Sequence, residues 1–175
     1  MKRLLLLRHA KASPDGKGSR DHARELTARG RANAAQMGAW LHTSGYEPDL
    51  VLCSDAARTV ETWEIAAQEL DAAPRVEFLE QLYLAPAKRI QAIIRAVADV
   101  ETLLVVGHNP GMEDCAATLA RNPAGKDEAE RHESLRQKFP TCALAVLEFD
   151  IPAWPALETG SGELVAFLRP RDLDD

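Results

Sequence analysis

Three short runs of this chain, Leu4–Leu7, Leu50–Cys53 and Leu103–Val106, are apolar at every position rather than at every second one. A strand with one face in water alternates apolar and polar residues, so an unbroken run marks a strand covered on both faces. Parallel sheets are built from such strands, because their crossover helices lie on either side. The segments between the runs supply the helices. Thr27 is placed to cap a helix carrying Ala32, Ala35, Ala39 and Leu41 that ends at Gly45. A second helix covers Arg58 to Leu70. In a third, Ile90, Ile93, Ile94 and Val97 fall at the i, i+3, i+4, i+7 positions of a buried stripe, with Pro86 near its start. Helical residues resume after Pro110 and run to about Ala120, and further strands are expected at Arg75–Phe78, Ala143–Phe149 and Glu163–Leu168. This order predicts an α/β fold, a three-layer α/β/α sandwich around a mostly parallel sheet.

Size and charge narrow the function. A chain of 175 residues fits one domain, here residues 1–175, and 46% hydrophobic with 27% charged residues excludes a disordered or fibrous protein. Ala12–Arg24 and Arg121–Lys138 are polar and read as surface excursions, while the proline-rich stretch Ile151–Gly162 reads as a loop. A formal net charge of -6 repels nucleic acid and anionic membrane, so neither is expected as a partner. The apolar start stops at Arg8-His9, short of the roughly 7–15 residues of a secretory signal, and no run approaches the roughly 20 of a membrane span. A cytoplasmic protein is expected. Cys53, Cys115 and Cys142 are odd in number and have no paired spacing, which suits reduced, buried thiols.

In an open parallel sheet, ligands bind beyond the carboxyl ends of the strands. The residues in those places are unusual here. Leu4–Leu7 leads into Arg8-His9, Leu50–Cys53 into Ser54-Asp55-Ala56-Ala57-Arg58, and Leu103–Val106 through Gly107 into His108-Asn109-Pro110-Gly111. Two arginines and two histidines can therefore share one edge. Guanidinium keeps its charge and offers a fork of donors matched to phosphate oxygens, and imidazole can be nucleophile, donor or proton carrier near neutrality. A helix starting after Pro110 would add its positive end. The combination points to phosphoryl chemistry.

Arg8-His9-Ala10, Ser54…Arg58-Thr59…Glu61-Thr62 and Gly107-His108-Asn109-Pro110, with Asp21…Leu26-Thr27…Gly30, resemble the successive signature blocks of the histidine phosphatase, or phosphoglycerate mutase-like, superfamily. The wording Arg-His-Ala-Lys, Gly-His-Asn-Pro-Gly and Phe139-Pro140-Thr141 is most similar to SixA-type phosphohistidine phosphatases. The resemblance implies a phosphoglycerate mutase-like fold, a covalent phosphohistidine intermediate on His9, phosphoryl binding by Arg8 and Arg58, and His108 completing the pocket as a catalytic and phosphate-binding residue. It also implies that no cofactor is needed.

Other residues carry weaker signals. His22, His42 and His132 lie in polar contexts and are assigned to solvent, and Lys11 and Ser13 follow the His9 triplet closely enough to touch substrate or simply to be solvated. A metal site built from His9, His108 and Cys53 is not expected, because two arginines would repel the cation and no close His/Cys spacing supports it. Many phosphomonoesterases of the resembled superfamily carry a glutamate general acid after the second block. Here Glu77–Pro86 is followed by Ala87-Lys88 with no carboxylate, and Glu80 is the nearest candidate. A missing acid favours a good leaving group. The chain also has little sequence from which to build a cap over a small metabolite. Both points favour a phosphohistidine-bearing signalling or phosphotransfer protein as substrate, with a small phosphomonoester as the alternative. A phospho-binding module without turnover would be expected to lose the nucleophile.

Overall fold

The computed structural model describes residues 1–14 and 20–174. Among them, six strands form one sheet in the order β3-β2-β4-β1-β5-β6. They are β1 (Lys2–Arg8), β2 (Leu50–Ser54), β3 (Arg75–Leu79), β4 (Thr102–Gly107), β5 (Leu144–Phe149) and β6 (Glu163–Leu168). β3, β2, β4 and β1 are mutually parallel, while β5 runs antiparallel to both β1 and β6. The expected mostly parallel α/β sandwich is the fold observed.

The unbroken apolar runs are explained by two cores. Leu4, Leu6, Leu50, Leu52, Leu103 and Val105 enter one, and Leu5, Leu7, Val51, Cys53, Leu104 and Val106 enter the other. Successive side chains point to opposite faces of a strand, so burial on both faces demands apolar residues at every position. Helices α1 (Ala28–Thr43) and α2 (Ala57–Ala67) contribute Met37, Leu41 and Trp63 to the second core. Helices α3 (Ala87–Arg95) and α4 (Gly111–Leu119) contribute Ile90, Ile94, Met112 and Leu119 to the first.

Local chemistry sets the helix ends. The Thr27 hydroxyl accepts a hydrogen bond from the Gly30 amide at 3.0 Å, and Gly45, at φ +74°, turns the chain out of the helix region. Gly30 also packs against the loop that follows β1, since a Cβ there would lie 2.1 Å from the Lys11 carbonyl oxygen.

Two of the surface segments carry short elements of their own. Within the excursion Arg121–Lys138, Lys126–Gln137 forms α5, which seats Leu135 in the core and donates from Arg131 Nε to the Leu164 carbonyl at 2.8 Å. Within Ile151–Gly162, Trp154 begins a short 3₁₀ turn, is fully buried, and donates from its indole to the Val100 carbonyl. Of the excursion at 12–24, residues 15–19 lie outside the described residues. The cysteines are free and buried as expected, and burial pushes the Cys115 and Cys142 thiols up to about 12. No helix among the described residues is long and apolar enough to cross a membrane.

Candidate active site

The carboxyl ends of β1, β2 and β4 converge as the sequence order requires. Arg8 pairs in register with Gly107, which places His9 beside His108, with ring centroids 5.3 Å apart. Arg58 enters from the first turn of α2. A pocket of about 480 Å³ is lined by Arg8, His9, Arg58 and His108, together with Lys11, Arg24, Asp21 and others. All four predicted site residues are thus brought together, and Lys11 joins them. Ser13 does not line the pocket; its carbonyl accepts from Arg24 Nε at 2.6 Å.

Each functional side chain is held by a named partner. His9 Nδ1 lies 2.8 Å from the Ala10 carbonyl. A carbonyl only accepts, so Nδ1 carries the proton and Nε2 keeps a free lone pair. Thr62 Oγ1 accepts from the Ala10 amide at 2.9 Å and donates to the Arg58 carbonyl at 2.7 Å, tying the loop after β1 to α2. Glu61 accepts from the Leu26 amide and from Arg31, which fixes the approach to α1. Arg8 donates to the Phe139 carbonyl at 3.1 Å, and the Asn109 side chain donates to the same oxygen at 2.9 Å. Asn109 Oδ1 in turn accepts from the Glu113 amide in the first turn of α4. His108 Nε2 is 2.8 Å from Ser54 Oγ.

Burial and charge tune these groups. Burial, reinforced by the nearby Arg58 and Arg8 guanidinium groups, lowers His9 to a pKa of about 4. Burial, then His9 and Arg58, lowers His108 to about 3. Both rings are therefore neutral at pH 7. Arg58 is 3% exposed and stands in the first turn of a helix, where the dipole opposes a cation. Its Nη1 and Nη2 donate to the Asp21 carbonyl and carboxylate at 2.8 and 3.1 Å.

Asp21 is the residue whose role the sequence hid. Its carboxylate accepts from Tyr83, Arg24 and Arg58, and those bonds, led by the one from Tyr83, hold it well below the usual carboxylate range. Tyr83 packs edge-on against both His22 and His108. His22 is accordingly no free solvent histidine, because its Nε2 also lies 2.8 Å from Asp55 Oδ1. His132 departs from the solvent assignment too, with Nε2 buried and unpartnered among the described residues, whereas His42 is exposed as expected. The signal for Asp21 was the fit of Asp21…Leu26-Thr27…Gly30 to the superfamily pattern.

Three nitrogens of this cluster, Arg8 Nε, Arg58 Nε and His108 Nδ1, are buried without a hydrogen-bond partner among the described residues. A buried polar group left unpaired costs on the order of 1–3 kcal/mol. Among the described residues the pocket sets four cations against one carboxylate, although the chain as a whole is negative. Glu80 is exposed and does not line it.

Comparison with known proteins agrees with this geometry. The family model for the histidine phosphatase superfamily (branch 1) matches residues 4–83. An uncharacterized protein of Mycobacterium tuberculosis H37Rv is 41% identical over 167 residues, covering 94% of this chain and all of its own length. The chain belongs to the histidine phosphatase superfamily. A structure described as a proposed phosphohistidine phosphatase SixA from Nakamurella multipartitia is 33% identical over 97% of this chain and 96% of its own, with a TM-score of 0.80. One from Agrobacterium tumefaciens, described in the same terms, is 31% identical over 97% and 98%, with a TM-score of 0.79. The chain is accordingly a phosphatase, a hydrolase of this superfamily.

Proposed function

We propose that the enzyme hydrolyses phosphohistidine on a signalling or phosphotransfer protein, in the cytoplasm, by way of a phosphoryl group carried on His9. His9 Nε2 attacks phosphorus as the bond to the substrate nitrogen breaks, and water then displaces His9 and releases inorganic phosphate. Arg8, Arg58 and His108 bind the phosphoryl oxygens, whose charge peaks in both transfers. The unpartnered nitrogens on these three side chains support that role, since a phosphoryl group brings the acceptors they lack. Arg58, oriented by Asp21, and Arg8, oriented by the Phe139 carbonyl, cannot wander from the position the transition state needs. The lowered pKa of His9 keeps its lone pair free at neutral pH.

The observation that carries the choice of substrate is the state of Asp21. It is the one carboxylate lining the pocket among the described residues, and three donors hold it ionised. An ionised carboxylate has no proton to give. An alkoxide leaving group needs one, help typically worth about 10²- to 10⁴-fold. The imidazole of phosphohistidine can leave as a neutral ring, so the pocket suits P–N cleavage. The structures of similar proteins described as SixA support the same substrate.

Turnover of a phosphohistidine protein, an activated aryl phosphate and phosphoglycerate by the same preparation tests the reading. Phosphohistidine and aryl phosphate should be cleaved, with phosphoglycerate about 10²-fold slower or worse. Phosphoglycerate turned over as fast as phosphohistidine would make the protein a small-molecule phosphomonoesterase.

A further inference from the structure

A second groove, of about 540 Å³, opens beside the catalytic pocket and shares Lys11 and Thr141 with it. Five of its lining residues are cations: Lys11, Arg29, Lys138, Arg169 and Arg171; no carboxylate lines it among the described residues. This concentration of charge stands on a chain whose formal net charge is -6. It is assembled from four separate segments: the loop after β1, the start of α1, the stretch after α5, and the turn Pro170–Leu173 with the residue before it.

The cations are left available. Arg169 is paired with Asp172, but Lys11, Arg29, Lys138 and Arg171 have no ion pair among the described residues, and all four are exposed. Arg29 lies in the first turn of α1, where the helix dipole opposes a positive charge. Local stability therefore does not explain it. Its neighbour Arg31, by contrast, is answered by Glu61.

We propose that this groove docks an acidic face of the phosphoprotein substrate, so that the phosphohistidine beside that face enters the catalytic pocket. The proposal rests on the phosphohistidine-protein reading above and adds what the protein partner must look like. A second phosphate on a small molecule would be held by two or three converging, desolvated donors. Here the charges stand in solvent and are spread over the groove, which matches several carboxylates on a macromolecular surface. Charges of that kind act chiefly on the association rate and lose their effect as salt rises.

The test uses the full chain carrying Arg29→Glu, Lys138→Glu and Arg171→Glu together, with the three Gln substitutions as a milder second variant. Each is assayed on a phosphorylated histidine phosphotransfer domain with an acidic face, on free phosphohistidine, on p-nitrophenyl phosphate, and on a sugar bisphosphate and its alkyl monophosphate. Charge reversal should lower kcat/KM for the domain about tenfold or more, mainly through KM, with the Gln variant between it and wild type. Rates on free phosphohistidine and p-nitrophenyl phosphate should stay within about twofold, and raising salt should erase the wild type's preference for the domain. Equal losses on free phosphohistidine and on the domain, or no loss on either, would overturn the docking role. A selective loss on a sugar bisphosphate relative to its monophosphate would assign the groove to a small ligand and overturn it as well. Failure of the underlying reading looks different: wild-type enzyme would then ignore both phosphohistidine substrates while cleaving alkyl esters.

Discussion

Acidification should weaken this fold through His9 before the carboxylates become involved. In the unfolded chain His9 takes up its proton near pH 6.5, whereas in the native pocket burial and three nearby arginines delay that to about 4. Between those values the native state binds fewer protons than the unfolded one, so stability falls as pH falls through this window and is fully retained above it. For His9 alone the loss is about 1.4 kcal/mol at pH 5.5 and about 2.5 kcal/mol at pH 4.5. His108 shares the cavity and is lowered too, so the two rings titrate as a pair and their contributions do not simply add. Urea denaturation at pH 7, 5.5 and 4.5 measures the effect, with His9→Asn as the control. Asparagine keeps an N–H donor near the Ala10 carbonyl but cannot titrate. The difference in stability between wild type and His9→Asn should therefore shift by about 2.5 kcal/mol against the wild type from pH 7 to 4.5. If the two proteins lose stability in parallel, His9 is not a buried neutral imidazole and the argument for its free lone pair fails.

Arg8→Lys and Arg58→Lys should each lower the rate on a phosphohistidine protein by about 10²-fold or more, because an ammonium cannot reproduce the bidentate fork. Steady-state kinetics near wild type for either variant would remove that arginine from the phosphoryl site. Gly30→Ala should destabilise the protein by about 1–3 kcal/mol, since the new Cβ would meet the Lys11 carbonyl oxygen at 2.1 Å. An unchanged urea midpoint would show that α1 can shift away from the loop after β1 at little cost.

Legibility in the sequence followed the range of the interactions. β1, β2 and β4 could be read because burial on both faces leaves an unbroken apolar run in the chain itself, and the residues following each run had to reach one sheet edge. Arg8, His9, Arg58 and His108 were legible for that reason. Helix α1 was legible from Thr27 and Gly45, which act on their own neighbours. Helix α5 was not, because its twelve residues bury little beyond Leu135 and Glu128 and so show no apolar stripe. The Asp21–Arg58–Tyr83 network was hidden too. Its members are separated by 37 and 62 positions from Asp21, and nothing local to any one of them announces the other two. The same holds for the carbonyl of Phe139, which orients Arg8 from 131 positions away. The basic groove is likewise a property of four distant segments brought together.

The central claim is that His9 carries the phosphoryl group, and trapping tests it most directly. Brief mixing with a labelled phosphohistidine protein, followed by an alkaline quench and peptide mapping, should place acid-labile, base-stable phosphate on His9 of the wild type. His9→Ala should retain the fold and carry no label. Label that persists on His9→Ala, or that maps to His108 in the wild type, would contradict the account.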